Sequence, residues 1–261
     1  MPDIIHGDRI IRISEQHARY RDDMEKYFDS YFNSVEPRVT AAGLLADFSQ
    51  PAVHRYKHNG LEFVLSSLPE EAEAVLSYTK HATGSRLAFD VGAYCGVSTY
   101  ELSKCYERVV AFEPDPLNRE CLIRNIRRHS LNNVIVVPRA MTAAGGRRRF
   151  FGEGALGSRL ALGNYVHGPL YDVETCSLTE SCIRYGVPDF IGMDIEAAEI
   201  EVLDSSRDLL RCENISLCVD TNHEQKNGWT FGRVESILHD CGYSVETGTP
   251  GGFYTTWGWK E

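Results

Sequence analysis

Nothing in the 261 residues approaches the roughly 20 consecutive apolar positions that cross a bilayer, so no membrane partner is expected. The opening residues, MPDIIHGDRIIRISEQ, lack both the basic and the apolar region of a signal peptide. Eight cysteines are present, at positions 95, 105, 121, 176, 182, 212, 218 and 241, and none forms a CxxC pair. Most sit in apolar segments, where a reduced thiol behaves as a small hydrophobe. The expectation is a reduced, cytoplasmic protein. Positive charge is short as well: 27 Lys and Arg against 37 Asp and Glu leave a formal charge of −10. That balance removes the general attraction a nucleic-acid partner would need. The densest basic patch, Arg147, Arg148 and Arg149, reads as a solvated strand edge. What remains is ordinary for a globular chain, 43% hydrophobic and 25% charged, and long enough for one large α/β domain with an added segment.

The pattern divides near residue 80. Residues 1–80 read as a mainly helical segment, a lid or an oligomerisation element for a homo-oligomer. Its first helix is expected over residues 14–33, SEQHARYRDDMEKYFDSYFN, opened by Ser14. LEFVL comes next as a short strand, and Pro69 starts a second helix with acids in its first turn. Residues 81–261 alternate short apolar strands with amphipathic segments: RLAFDV, RVVAFE, NVIVVP, DFIGMD and NISLCVD. That alternation predicts a parallel sheet with helices on both faces. YSVETG and FYTTWGW, joined by the turn-rich TPGG, add an antiparallel C-terminal hairpin and bring the sheet to seven strands.

Three strand ends carry the chemistry. AFDVGAYCGVS ends the first strand at Asp90, and Gly92 and Gly96 give the adjoining turn its backbone freedom. That turn departs from the GxGxxG of pyrophosphate cradles, since Ala93 and Tyr94 come directly after Gly92. Glu113 ends the second strand, where an acid can accept both ribose hydroxyls, and Pro114 and Pro116 fix the turn beyond it. An acid there without a pyrophosphate cradle favours a nucleoside lacking a diphosphate, such as S-adenosylmethionine. DFIGMDIEAAEIEVL ends the fourth strand at Asp194. Glu196 is expected to begin the next helix and Glu199 to lie in its first turn, a favourable place for an acid in any helix. Ligands of open α/β sheets bind beyond the C-terminal strand ends, so Asp194 shares a crevice with Gly92 and Glu113.

DVGAYCGVSTYELSK, VVAFEPDPLNRECLIRN, SLTESCIRYGVPDFIGMDIEAAEIEVL and ISLCVDTNH together resemble the FkbM family of S-adenosylmethionine-dependent methyltransferases, over residues 86 to 223. The resemblance implies a class I, Rossmann-like methyltransferase sheet and S-adenosylmethionine as cofactor. It implies O-methylation of a hydroxyl on a sugar, glycoside or other small natural product. It also implies that Asp90, Gly92, Ala93, Gly96 and Ser98 surround the methionine end, that Glu113 holds the ribose, and that Asp194 and Glu196 lie near the transferred methyl. Three positions depart from the family pattern. Tyr94 stands where an asparagine is usual, Gly192 where a lysine is, and Ala197 where a glycine is.

Methyl transfer is an in-line displacement that depends on positioning, and an alcohol acceptor must also lose a proton. Asp194 is the first candidate base and His223 the second. A metal-assisted variant would place magnesium or calcium on Asp194, Asp220 and Asn222. Two other classes stay open: a non-catalytic protein that keeps the cofactor fold, and a nicotinamide-dependent oxidoreductase. For the acceptor, Arg159, Tyr165, His167 and Tyr171 lie in a glycine- and arginine-rich stretch expected to form a hairpin and loop.

Overall fold

The computed structural model describes residues 3–13, 21–26, 28–35, 37–49, 54–58, 60–66, 80–152, 154, 157–161, 169–225 and 228–261. Strands β1 (Ile4–His6) and β2 (Arg9–Ile13) pair antiparallel across a two-residue turn at Gly7 and Asp8. Strands β3 (Arg38–Thr40) and β4 (Gly43–Phe48) complete a sheet ordered β1-β2-β4-β3, in which β2 and β4 run parallel. Two short helices, Arg21–Lys26 and Phe28–Ser34, pack Met24, Phe28 and Phe32 against Ile11, Ile13 and Phe48 of this sheet. Strands β5 (His54–His58) and β6 (Leu61–Leu65) form a separate antiparallel pair.

The expectation of a mainly helical N-terminal segment is not confirmed: its described residues hold a mixed four-stranded sheet with two short helices on one face, both overlapping the expected 14–33 span, and a separate strand pair. Ile11 and Ile13 alternate with arginine, the period of a half-buried strand. The partner strand β4 lies some thirty residues away, beyond the reach of local periodicity. Residues 14–20, and the helix expected from Pro69, fall outside the described residues. Strand β6 is tied to the C-terminal two thirds of the chain through Asn125. That side chain accepts from the Val64 amide at 2.8 Å and donates to the carbonyls of Val64 and Cys95 at 2.7 and 2.8 Å.

The main sheet begins with β7 (Leu87–Val91), β8 (Arg108–Phe112) and β9 (Val134–Val137). A smaller sheet comes next in the chain, built from β10 (Ala140–Met141), β11 (Gly146–Phe151), β12 (Arg159–Leu160) and β13 (Leu170–Cys176). The main sheet resumes with β14 (Phe190–Met193) and β15 (Ser216–Asp220). A short hairpin, β16 (Glu224–Gln225) and β17 (Gly228–Trp229), then precedes β18 (Ser244–Gly248) and β19 (Thr255–Trp259). The main sheet has the order β18-β19-β15-β14-β7-β8-β9. The run from β15 to β9 is parallel, and β19 inserts antiparallel between β15 and β18, as the terminal hairpin predicts. β7 is buried along its whole length, the usual state of a central parallel strand covered on both faces. Trp257 is buried and Trp259 half-buried, on one face of β19 beside Ala88, Phe190 and Cys218. Helix Leu178–Tyr185 opens with a capping box, Ser177 accepting from the Glu180 amide while Glu180 accepts from the Ser177 amide.

Candidate active site

The C-terminal ends of β7 and β8 make one wall of the crevice. Asp90 is fully enclosed; its Oδ2 accepts from the hydroxyls of Ser98 and Thr99, and its Oδ1 has no protein partner. Burial raises its pKa to about 6 against the pull of those two hydroxyls. Gly92 has φ 86°, and a Cβ there would meet the Asp194 carbonyl oxygen at 1.8 Å. Only glycine lets this turn pass so close to the end of β14. Gly96, at φ 89°, caps helix Val97–Cys105 and faces Leu122. Glu113 lies one residue beyond β8, with 4% of its surface exposed. Its two oxygens accept from the amides of Tyr94 and Asp115, each at 2.8 Å. Burial, then the neighbouring Asp115, push its pKa up to about 8 against those two bonds.

The ends of β14 and β15 make the other wall. Asp194 stands just past β14, its amide bonded to the Val91 carbonyl at 2.9 Å. Its side chain keeps 44% of its surface open to the crevice. Glu196 and Ala197 then adopt left-handed backbone, φ 57° and 81°, so the helix starts at Glu199 rather than at Glu196 as expected. Glu199 folds back over this turn, and its Oε1 accepts from the amides of Ile195 and Ala197 at 3.1 and 3.2 Å. His223 lies between two of these acids. Its Nε2 is 3.7 Å from Asp194 Oδ1, and its Nδ1 is 3.2 Å from Glu199 Oε1 without hydrogen-bond alignment. Burial lowers the imidazole pKa, but Glu199, Glu196 and Asp194 together outweigh it and hold it well above the ordinary value. Burial, then the charges of Asp220, Glu196 and Glu199, raise the Asp194 carboxyl well above its usual range, with His223 opposing. Asp220 is held at about 6, raised by burial and opposed by His223.

The structure thus brings Asp194 and His223 together and sets Gly92 against Asp194. Glu196 turns to Arg159 of β12, whose guanidinium lies 2.6 Å from its carboxylate. Tyr171 packs on Phe150, and Tyr165 and His167 lie outside the described residues. Asp220 and Asn222 engage their own turn: Asp220 Oδ1 accepts from the Asn222 amide at 2.8 Å, and Asn222 Oδ1 from the Tyr254 amide at 3.3 Å. The residue that sequence reasoning undervalued is Glu199. It falls four positions after Ile195 and three before Val202, on the buried stripe of its helix rather than on the solvated one. Asp115 is a second such residue. It caps helix Pro116–Arg128 and also accepts from the Ser158 hydroxyl and the Gly154 amide, tying the second-strand turn to the residues before β12. A cavity of about 500 Å³ bordered by Phe112, Val137, Cys176 and Tyr185 opens beside helix Leu178–Tyr185, and none of the strand-end acids lines it.

The methyltransferase FkbM domain matches residues 90–245 of this chain. A solved FkbM methyltransferase from Methylobacillus flagellatus is 20% identical, with a TM-score of 0.51 over 67% of this chain and 44% of its own. The chain thus spans less than half the length of that protein, and the likeness is one of fold. TYW2 from M. jannaschii, solved in complex with AdoMet, is 15% identical over 81% of this chain and 87% of its own, with a TM-score of 0.49. Among curated proteins none matches the chain. With its motifs on successive strand ends of a sheet closed by an inserted antiparallel strand, the chain belongs to the FkbM family of S-adenosylmethionine-dependent methyltransferases.

Proposed function

We propose that this protein methylates a hydroxyl oxygen of a small polar acceptor, a sugar, a glycoside or another small natural product. The observation that carries this reading is the position of Asp194. Its carboxylate is accessible at the end of β14, and its backbone carbonyl lies directly against the Gly92 turn that begins the family's cofactor motif. Bound S-adenosylmethionine supplies an electrophilic methyl group.

The residues present suit that cofactor. Asp90 leaves one enclosed oxygen without a protein donor, and Glu113 offers its remaining lone pairs at the end of β8. Asp90, Gly92, Ala93, Gly96 and Ser98 bound the methionine side, Glu113 takes the ribose hydroxyls, and Asp194 borders the methyl. The acceptor hydroxyl loses its proton to Asp194. His223 orients that carboxylate from one side, and Glu196, held by Arg159, shapes the turn from the other. Residues 1–80 serve as a separate segment over this domain, a lid or a contact between copies. Magnesium on Asp194, Asp220 and Asn222 is the weaker variant, because the last two side chains already bond to neighbouring backbone.

The test is a panel of hydroxylated acceptors incubated with radiolabelled S-adenosylmethionine, with Asp194→Asn alongside. Label on a hydroxyl oxygen that drops at least about a hundredfold in the variant supports the reading. Label on nitrogen or carbon, or label that the variant transfers at full rate, contradicts it.

A further inference from the structure

We propose that Asp194, Glu199 and His223 form a binding site for one divalent transition-metal ion, of the manganese or zinc class, at the ends of β14 and β15. The three residues each bring one donor atom, and these atoms lie within 4.8 Å of one another. Ligands bonded to a shared ion at about 2.1 Å sit up to about 4.2 Å apart, so the side chains need close by only about half an ångström.

A second observation points the same way. The Glu199 side chain is completely enclosed, yet its Oε2 has no hydrogen-bond partner. Its other oxygen is already spent on the amides of Ile195 and Ala197. The Nδ1 of His223 is also enclosed, 3.2 Å from Glu199 Oε1 without hydrogen-bond alignment. A buried carboxylate oxygen left bare is costly, and a cation held between Glu199 and His223 removes that deficit.

The donor set selects the kind of ion. Calcium and magnesium take all-oxygen sets, whereas one imidazole with two carboxylates suits the manganese-to-zinc series. The ligands therefore differ from the all-oxygen group of Asp194, Asp220 and Asn222 expected from the sequence. A hydroxyl coordinated to such an ion gives up its proton more readily. That role rests on the methyl-transfer reading; the binding of the ion does not.

The experiment uses the full chain, stripped with chelator and dialysed, and titrated with Mn2+ alone while free Mn2+ is tracked by electron paramagnetic resonance. One ion per chain is expected, displaced by Zn2+. Glu199→Gln and His223→Asn should each weaken binding at least about tenfold, with Asp220→Asn within about twofold of wild type. His223→Asn guards against misfolding, since that side chain keeps 13% of its surface exposed whereas that of Glu199 keeps none. No uptake by the wild type up to about 1 mM overturns the proposal. So does uptake that both ligand variants retain, or that only Asp220→Asn loses. Neither cofactor nor acceptor is in the tube, so these failures leave the methyl-transfer reading standing. That reading fails separately, in the labelling assay.

Discussion

The two walls of the crevice are both built from acids at strand ends, and they are built differently. At β7 and β8 the carboxylates are buried and held. Glu113 has an amide on each oxygen, and Asp90 has two hydroxyls on one of its own. The turn beside them has positive φ at Gly92, Tyr94 and Gly96, two of the three being glycine. At β14 and β15 the acids crowd one another around His223, and two polar atoms are bare. Two residues with side chains, Glu196 and Ala197, take left-handed backbone there. A wall of held carboxylates beside a mostly glycine turn suits holding a ligand in one place. A crowded wall under conformational strain suits chemistry, which is where such strain tends to be kept.

The two walls touch at Gly92. Gly92→Ala drives a methyl into the Asp194 carbonyl at a backbone angle alanine avoids. Chemical denaturation should show a loss of at least about 3 kcal/mol, if the variant folds at all. A loss under about 1 kcal/mol would mean that the walls are not locked together there.

The second effect is one of pH and belongs to the holding wall. The folded pKa of Glu113, about 8, lies above its ordinary value. The stability tied to its proton is therefore complete below the ordinary carboxylate range and is lost as pH rises toward 8. Glu113→Gln should flatten that decline, by as much as about 1.4 kcal/mol per pH unit at its steepest. Parallel pH profiles for variant and wild type would show that Glu113 is not buried as described.

The third effect is smaller and belongs to the other wall. Ala197→Gly should relieve a left-handed alanine and raise unfolding stability by about 1 kcal/mol. An unchanged or lowered denaturation midpoint would mean that this turn stores no strain.

Ala197 also shows what a sequence holds and what it hides. The family resemblance marks a glycine at that position and an asparagine at Tyr94, and both positions have positive φ here, 81° and 48°. Glycine and asparagine are the residues that accept such angles most easily. The two departures were visible in the sequence, while their common cause needed the backbone. The parallel strands and the inserted last strand were legible because each is a short apolar run bounded by turn residues. The strand-end acids Asp90, Glu113 and Asp194 were legible for the same reason, since each closes such a run. The N-terminal sheet was not, because β2 pairs with β4 across more than thirty positions and its alternation is only five residues long. Glu199 was hidden by chemistry of a more ordinary kind. An acid in a first helical turn has a sufficient local reason to be there, and only its place on the buried stripe says that it faces inward.

We propose that the wall at β7 and β8 supplies most of the hold on the cofactor, and that His223 on the other wall supplies none. Calorimetric titration with S-adenosylmethionine of the wild type, Glu113→Ala and His223→Asn tests this most directly. One site is expected in the wild type, with affinity lowered at least about tenfold in Glu113→Ala and within about twofold of wild type in His223→Asn. Undiminished binding by Glu113→Ala, with binding lost in His223→Asn, would contradict it.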